Sequence, residues 1–462
     1  MSTARRRWAT ALLLMGLSAA PVWAQDAELE PENGADVGQG PYETAIKHLT
    51  AGEARAAARI LGEVVEKEPS HTLAWWELGW ARWAMDDFKG ALDAWSQVER
   101  LDPTHPELTH WRDEARLRLK YSGDLYVAES VPEEPSGSRI VFAAVGDTMM
   151  GTAVHKGARG LAAGNGEDLF TGVDTWLRNA DVAFLNLEGP LADDHLPTTK
   201  CGPKSTACYD FRTPTRYVKA LSDMGIDLAS LANNHAMDVG EPGMEATIST
   251  LDDAGIAHSG RYGDVAIIER EGIKIGMLAT GTSSCCPNIN RLSEITQAIA
   301  ELDARVDIVI LSFHGGAEGA AHRNVPGETE IAWGERRGDV RALARAAIDA
   351  GADLVLGHGP HVLRAMEVYR ERLVVYSMGN FCGYNQFGTR GGFGGTSMVV
   401  EAELAANGVL TSARIRPVAL DNLARPRPDP EGGAIQQVQE LSDHDFPETG
   451  VQLDETGQIS WR

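Results

Sequence analysis

Hydrophobic and polar positions divide the chain into three regions. Residues 42–120 carry apolar side chains at helical spacing, and the pattern repeats, since Pro69 and Pro103 lie 34 residues apart. From residue 139 to residue 425, short apolar runs alternate with helical stretches, which is the pattern of an α/β fold. Residues 426–462 are polar and contain proline, so we expect a loosely ordered C-terminal tail.

The repeated helical segment resembles roughly two tetratricopeptide repeats followed by a capping helix near residues 106–119. Two antiparallel helices need small residues where they cross and bulky residues between the crossings. The residues that fit this requirement are Trp75, Leu78, Gly79, Ala91, Trp95 and Pro103. Such repeats usually bind proteins, so the resemblance implies a protein partner, although so short an array can also simply pack on its neighbour. An unrelated helical hairpin is the alternative.

The apolar runs after residue 139 consist mostly of Val, Ile, Leu and Ala, as expected of strands that are buried on both faces. The stretch 263–280 is typical of a β-hairpin, which predicts a mixed sheet. Two segments rich in polar residues and proline, 25–41 and 121–138, are expected to be linkers. Residues 139–425 therefore form the main predicted domain.

The N-terminus has the features of a secretory signal, which we place at residues 1–24. Arg5, Arg6 and Arg7 form a basic start, and the apolar run that follows is too short to span a bilayer. The residues up to Ala24 suit cleavage by a signal peptidase, and an uncleaved anchor is the alternative. We therefore expect an exported protein, periplasmic or extracellular, with no transmembrane segment after signal cleavage.

Composition and charge narrow the class of partner. Of 462 residues, 43% are hydrophobic and 23% are charged, which is an ordinary globular balance. The formal net charge of -24 argues against a nucleic-acid partner, since phosphate backbones attract Lys and Arg. Among five cysteines, Cys201 and Cys208 bracket a short loop and are the first choice for a disulfide. The adjacent Cys285 and Cys286 more plausibly pair elsewhere than with each other.

Polar residues that can bind a metal ion follow five of the buried strands. Because ligands of α/β folds bind at the carboxyl ends of strands, these side chains should share one edge. Carboxylates, an amide and imidazoles together suit Mn, Fe, Zn or a similar ion, and the absence of thiolates at these strand ends argues against a structural zinc site. The residues in question are Asp147, Glu188, Asn233, Asn234, His235, Asp238, His314, Glu318, His358 and His361.

Six motifs in this order resemble the CapA-type proteins of capsule synthesis, which are similar to calcineurin-like metallophosphoesterases. The motifs are GDTMMG (146–151), NLEGPL (186–191), LANNHAMDVG (231–240), FHGGAEG (313–319), GADLVLGHGPHV (351–362) and YSMGNF (376–381). The resemblance covers residues 139–425. It implies a metallophosphoesterase-like α-β-β-α sandwich, preceded by the small all-α helical domain, and one or two divalent ions (Mn, Fe, Zn or Mg).

The resemblance also implies a role for individual residues. Metal ligands are expected at Asp147, Glu188, Asn234, His314, His358 and His361. His235 is expected to contact the scissile group, and Asp238 to orient His235 or line the pocket, with a helix cap as the alternative for Asp238. Candidates for substrate contact or for support of the ligands, each with a turn or surface role as the alternative, are Asn233, Glu318, His322 and Asn380.

The sequence also departs from the pattern of the related enzymes. Met149 stands where they have the histidine of Asp-x-His, and Glu188 stands where they have aspartate. His314 is followed by two glycines, and His358 and His361 are spaced by three residues. The alternative to a complete two-metal site is therefore a site in which one of the two usual metal positions is weak or absent.

Three functions are compatible with these residues. The first is a metal-dependent hydrolase or transferase that acts outside the cytoplasm on an envelope phosphoester or an amide-linked polymer such as poly-γ-glutamate. The second is a non-catalytic capsule-assembly factor that recruits partners through its helical repeats. The third is a nucleotidase-type phosphoesterase with no role in capsule formation.

Overall fold

The computed structural model describes residues 40–121, 133–152, 154, 160–201, 208–386 and 392–461. The chain divides into two compact units between residues 122 and 123. The expected signal segment, residues 1–24, lies outside the described residues, as do nearly all of the expected linker 25–41 and the greater part of the linker 121–138. Signal cleavage and export therefore stay predictions.

The first unit is built from helices. They are α1 (Pro41–Thr50), α2 (Ala54–Lys67), α3 (Thr72–Trp83), α4 (Phe88–Leu101) and α5 (Leu108–Tyr121). Small residues such as Ala57 and Ala91 are fully buried in their shared core, beside a cluster of tryptophans. Trp95 is also fully buried, and its Nε1–H donates to the carbonyl of Trp76 at 3.2 Å. The predicted all-α region is confirmed.

The second unit contains the strands of an α/β fold. The first ten are β1 (Arg139–Met149), β2 (Gly151–Thr152), β3 (Gly160–Leu161), β4 (Val182–Leu187), β5 (Leu228–Ser230), β6 (Ala257–Ser259), β7 (Ala266–Arg270), β8 (Ile273–Thr280), β9 (Ile308–His314) and β10 (Glu330–Ala332). The next are β11 (Glu335–Gly338), β12 (Leu354–His358), β13 (Met366–Tyr369), β14 (Arg372–Val375), β15 (Asn380–Gly383), β16 (Thr396–Ala405), β17 (Leu410–Leu420), β18 (Pro426–Pro428), β19 (Gln452–Leu453) and β20 (Gln458–Ser460). The helices of this unit are α6 (Asp174–Arg178), α7 (Val218–Met224), α8 (Gly240–Asp253), α9 (Leu292–Asp303), α10 (Val340–Asp349) and α11 (Gly433–Asp445).

Two large mixed sheets organise this unit. The larger has the order β19-β20-β17-β16-β1-β4-β5-β6, with β15 beside β1 and β18 beside β17. The smaller has the order β13-β14-β12-β9-β8-β7. Strands β4, β5 and β6 run parallel to β1, and β8, β9, β12 and β14 run parallel to one another. The pair β7–β8 is antiparallel, which confirms the hairpin predicted at 263–280.

The two sheets pack face to face with helices outside them. Phe142 and Val400 from the larger sheet share one core with Ile310 and Leu356 from the smaller sheet. On its other face the larger sheet packs against α6, α7 and α8, while α9 and α10 contact strands of the smaller sheet. The predicted α-β-β-α sandwich is confirmed, and it places the carboxyl ends of both sets of parallel strands at one edge.

The prediction of a loosely ordered tail at 426–462 is wrong. This segment contains α11, and three strands of it join the larger sheet. Ala434, Val438 and Leu441 fall on one face of α11 at helical spacing and are buried, as are Val451 and Ile459. The segment contains few apolar residues, so its overall composition is polar. The spacing of those few residues is nevertheless sufficient for packing.

A disulfide joins Cys201 and Cys208, as predicted. Cys285 and Cys286, for which we expected a partner elsewhere, are free thiols, as is Cys382. Among the helices that the structure describes, none combines the length and the apolar character needed to cross a membrane.

Candidate metal centre

Five of the six predicted metal ligands meet between the strand ends of the two sheets. Asp147 lies near the end of β1 and Glu188 directly follows β4, both in the larger sheet. His314 and His358 are the last residues of β9 and β12 in the smaller sheet and are paired side by side. His361 lies three residues further on. One edge of the sandwich therefore carries acids from one sheet and imidazoles from the other.

Short distances join these side chains into one cluster. Nδ1 of His361 lies 3.1 Å from Oδ2 of Asp147, and Nδ1 of His358 lies 3.4 Å from Oδ1 of Asp147. Nε2 of His314 and Nε2 of His361 lie 3.5 Å and 3.6 Å from Oε1 of Glu188. One ligand atom each of Asp147, Glu188 and His314 fall within 4.8 Å of one another, a spacing that a single ion can bridge.

Two glycines allow the backbone to bring these strand ends together. A Cβ on Gly146 would lie 2.0 Å from the carbonyl oxygen of Gly379, so β1 can approach this segment closely only with glycine before Asp147. Gly359 has φ +110, and its missing side chain leaves room for the backbone of Gly315. The motifs around Asp147 and His358 thus contain glycine for steric reasons.

Among the described residues of the cluster, several buried polar atoms lack hydrogen-bond partners, as expected of side chains that bind a metal ion. Both carboxylate oxygens of Glu188 and both ring nitrogens of His314 and His358 are buried without a hydrogen-bond partner among the described residues. Burying such groups is costly unless something compensates them. A divalent cation accepts coordination from carboxylate and imidazole together, so the donor set matches the ion that the fold class implies.

Burial shifts the pKa of two of these groups in opposite directions. It raises the pKa of the Glu188 carboxyl to about 7, because the charged carboxylate loses its hydration. It lowers the pKa of the His314 imidazole to about 3, because here the cation is the form that loses hydration. His314 is therefore neutral at pH 7, which is the protonation state of a metal ligand.

The two groups that face each other directly shift differently. Burial alone would lower the pKa of His361, but the charges of Glu188 and Asp147 outweigh it and raise this pKa to about 10. Burial alone would raise the pKa of Asp147, but the nearby imidazoles of His358 and His361, at 3.4 Å and 3.1 Å, hold it well below its ordinary value. The two carboxylates thus attract positive charge to the position of His361. A metal cation bound close to this position would compensate the negative charge of the same two carboxylates.

The asparagine loop after β5 is tied to this cluster. Asn186 donates its Nδ2–H to Oδ1 of Asp147 at 2.8 Å and accepts from Nδ2 of Asn233 at 3.2 Å. Asn233 is fully buried and thereby anchors the loop. Oδ1 of the neighbouring Asn234 is buried and has no hydrogen-bond partner in the described part of the chain, as expected of an amide ligand.

His235 and Asp238 form a second pair beside the cluster. Nδ1 of His235 lies 2.6 Å from Oδ2 of Asp238, and Asp238 is fully buried. His235 is close enough to Glu188 to act on the pKa of that carboxyl. Helix α8 has no side-chain cap, so the alternative of a capping role for Asp238 is wrong. Of the two roles predicted for Asp238, the structure shows contact with His235.

The lower-ranked candidates separate into two groups. Asn380 is buried and its Oδ1 lies 2.9 Å from Nδ1 of His361. Glu318 lies 3.1 Å from Nη2 of Arg337 and acts on the pKa of His361, so both Asn380 and Glu318 border the cluster. His322 is exposed on a short 3-10 turn, which agrees with its surface alternative.

Met149 fills the position at which related enzymes carry a histidine. Its side chain is buried, and its Sδ accepts the backbone N–H of Gly151 at 3.0 Å. A thioether is a poor ligand for the hard or borderline ions that suit carboxylates. The departure noted in the sequence thus removes one donor from the edge of the cluster.

Sequence reasoning missed two residues that contact the site. Asn186 lies within a recognised motif, and its position one residue before the end of β4 was the signal that could have revealed it. Lys200 had no comparable signal. Its Nζ lies 3.1 Å from both His235 Nδ1 and Asp238 Oδ1, although more than thirty residues separate it from them in sequence.

An α-β-β-α sandwich with acids and histidines gathered at its strand ends defines a metallophosphoesterase-like protein. Within that class, the family model described as bacterial capsule synthesis protein PGA_cap matches residues 141–385, over half of the chain. The chain belongs to this family.

Individual relatives agree with this assignment. The chain is similar to the capsule biosynthesis protein CapA of Bacillus anthracis, with 29% identity over 265 residues, covering 53% of this chain and 59% of that protein. It is also similar to the PGA biosynthesis protein CapA of Bacillus subtilis (strain 168), with 31% identity over 259 residues, covering 51% and 61%. The chain thus spans about three fifths of these relatives. A TPR repeat-containing protein of Pseudomonas aeruginosa is 41% identical over 58 residues, covering 13% and 55%.

Proposed function

We propose that this chain is an exported, metal-dependent hydrolase of metallophosphoesterase type that acts on a polymer or phosphoester of the cell envelope. The observation that carries the proposal is the set of buried, unpartnered donor atoms on Glu188, His314 and His358, in the part of the chain that the structure describes, within reach of Asp147. Solvated surface acids do not explain buried groups, and a purely structural cluster would satisfy them with protein donors.

The residues divide into those that would hold metal and those that would act on the substrate. Asp147, Glu188, His314, His358, His361 and Asn234 would provide one or two ions with oxygen and nitrogen ligands. A divalent ion held by these residues would supply Lewis-acid polarisation of the scissile group and activation of water. Asn380 holds the His361 ring through a contact of 2.9 Å, and Asn186 holds Asp147.

His235 would act as the proton donor to the leaving group in the form of the ring that carries a proton on both nitrogens. The Nδ1–H tautomer is the neutral form that remains once Nε2 has given up its proton. Asp238 fixes one ring nitrogen, Nδ1, which leaves Nε2 as the atom available to the substrate. Proton transfer by a positioned group typically contributes about 10²–10⁴-fold to a rate. The ring also stacks on Phe211, with centroids 4.0 Å apart, which limits its rotation.

The substrate class is inferred from the relatives. The two Bacillus relatives carry the names capsule biosynthesis protein and PGA biosynthesis protein, which favours an anionic envelope polymer such as poly-γ-glutamate. The signal-like N-terminus supports a site of action outside the cytoplasm, where such a polymer is assembled or exported. The helical unit would recruit a protein partner.

Removal of two ligands tests this function. Asp147→Ala and His358→Ala should each lose bound metal and lower the hydrolysis of aryl phosphate mono- and diesters by at least about 10²-fold, the size of the effect of one charge-stabilising group. Metal content is measured by mass spectrometry. Asp223→Ala and His444→Ala are matched controls, since both side chains lie on the surface. Unchanged rates in both ligand variants would reject the hydrolase.

A second candidate is a non-catalytic capsule-assembly factor, and Met149 favours it because it removes one metal donor. Complementation of a strain that lacks the protein separates the two functions. The hydrolase requires that Asp147→Ala fail to restore polymer at the cell surface. Full restoration by a variant that holds no metal would favour the scaffold.

A further inference from the structure

A short segment around the disulfide contacts the His235–Asp238 pair from two sides. Nζ of Lys200 lies 3.1 Å from Nδ1 of His235, 3.1 Å from Oδ1 of Asp238 and 2.9 Å from the carbonyl oxygen of Asn234. Phe211 stacks on the ring of His235 and donates its backbone N–H to Oδ2 of Asp238 at 2.7 Å. In the sequence, Lys200 immediately precedes the first cysteine of the disulfide, and Phe211 follows the second by three residues.

The hydrogen-bonding chemistry assigns the protons in this group. A carboxylate only accepts and an ammonium only donates, so Nδ1 of His235 cannot satisfy both neighbours at once. Its contact with Asp238 is the shorter, at 2.6 Å, and therefore takes the Nδ1 proton. Lys200 then donates to the carbonyl of Asn234, and its ammonium forms an ion pair with Oδ1 of Asp238 at 3.1 Å. Lys200 thus offsets the buried charge of Asp238 while leaving the His235 contact intact.

We propose that Lys200 is a positioning residue that fixes the tautomer and orientation of His235 through Asp238, and that the Cys201–Cys208 disulfide holds Lys200 in place. This inference rests on the proposed function of His235. It assigns the disulfide to the site, since the bridge joins the two flanks that contact the pair. Reductive opening of the bridge should then lower turnover without removing metal.

Lys200→Met tests the lysine, because it keeps the length of the side chain and removes the charge. We expect kcat to fall about 10- to 100-fold, the effect of losing a charge-assisted contact that orients a reacting group, with KM within about twofold and metal content unchanged. Lys219→Met is the matched control, since Lys219 pairs with Asp223 on the surface. A kcat within about twofold of wild type would overturn the role of Lys200.

Nuclear magnetic resonance of the His235 ring gives a readout that does not depend on turnover. Correlation of ring nitrogens with ring protons should show the Nδ1–H tautomer in the wild-type protein and a changed tautomer population in Lys200→Met. Identical ring signals in the two proteins would overturn the inference. If the metal-loaded wild-type protein hydrolyses no ester, the proposed function fails, whereas this measurement still decides whether Lys200 positions the ring.

The disulfide is tested by reduction with a phosphine in the full-length protein. Wild-type kcat should fall at least about threefold, because a small displacement of an orienting group is enough to slow a reaction. The double variant Cys201→Ser/Cys208→Ser should start at the reduced rate and no longer respond. An equal response of both proteins would show that the phosphine acts elsewhere and would remove the disulfide from the proposal.

Discussion

The pair of Arg345 and Glu367 and the cluster of Asp147 and Glu188 are both charged groups buried in the second unit. In the first, Arg345 contacts both carboxylate oxygens of Glu367, at 2.8 Å and 3.2 Å. The hydroxyl of Tyr376 donates to the same carboxylate at 2.7 Å, and the hydroxyl of a threonine, residue 449, also donates to it. Every oxygen of Glu367 therefore has a protein partner.

The second group is left incomplete by the protein. Both oxygens of Glu188 are buried without a hydrogen-bond donor in the described structure, and the facing nitrogens of His314 are likewise unpartnered there. Burying a charged group costs free energy at both sites. At Glu367 a full set of protein contacts offsets this cost, whereas at Glu188 the protein contacts are incomplete and a cation is needed to offset it. Completeness of contacts, and not burial or charge, distinguishes the structural pair from the binding site.

The largest effect is expected when the complete pair is broken. Glu367→Gln leaves the guanidinium of Arg345 buried without its counter-charge, which should lower the free energy of unfolding by about 3–5 kcal/mol. Urea unfolding measures this loss, and the metal content of the folded fraction should equal that of the wild type. Loss of metal with little change in stability would instead place function at Glu367 and end the distinction.

The incomplete cluster should reveal itself through pH. A metal ion must displace the proton of Glu188 below about pH 7 and that of His361 below about pH 10, so its apparent affinity rises with pH. We expect a rise of about tenfold per pH unit between these values and a steeper rise below the lower one. Competition with a chelator on both sides of pH 7 measures the slope.

Glu188→Gln is the control for this pH dependence. The variant cannot bind or release the carboxyl proton, so it should bind metal more weakly and lose the extra steepness below pH 7. An affinity in the wild type that stays level or falls as pH rises would show that protons and metal do not compete here.

The smallest effect is expected from the same substitution in metal-free protein. The oxygens of Glu188 accept no hydrogen bond among the described residues, and the lost attraction for His361 is offset by the burial cost that the charge of Glu188 no longer adds. Glu188→Gln should therefore change the free energy of unfolding by less than about 1 kcal/mol. Urea unfolding after chelator treatment measures it. The wild type should gain stability when metal is added, and the variant should gain less. A loss as large as that of Glu367→Gln would make Glu188 a structural residue.

Local patterns in the sequence were sufficient to predict an α/β fold and most of the cluster, whereas the sandwich was implied by the family resemblance. Alternating apolar runs and helices predicted an α/β fold, and polar residues directly after the runs predicted ligands at strand ends. His314 and His358 are an example. β9 and β12 are neighbouring parallel strands that end at the same level, so their last residues lie side by side. The hairpin at β7–β8 and the Cys201–Cys208 disulfide were predicted from equally short stretches.

Other features depend on contacts between distant parts of the chain. Lys200 reaches His235 from a segment with no regular secondary structure, so no periodicity marks it. The C-terminal segment was misread because its few apolar residues are useful only once α11 lies against the sheets. His322 was a candidate for the site because it lies beside a motif, but its side chain is exposed.

The sequence by itself determined which residue types stand at the end of each strand, because strand identity and alternation are properties of short stretches. Only the tertiary structure decided which of those side chains share one cluster, which buried acids are completed by protein donors, and that Lys200 contacts Asp238. The physical reason is that the free energy of a buried charge depends on all the groups around it, and these groups come from strands and loops far apart in the chain.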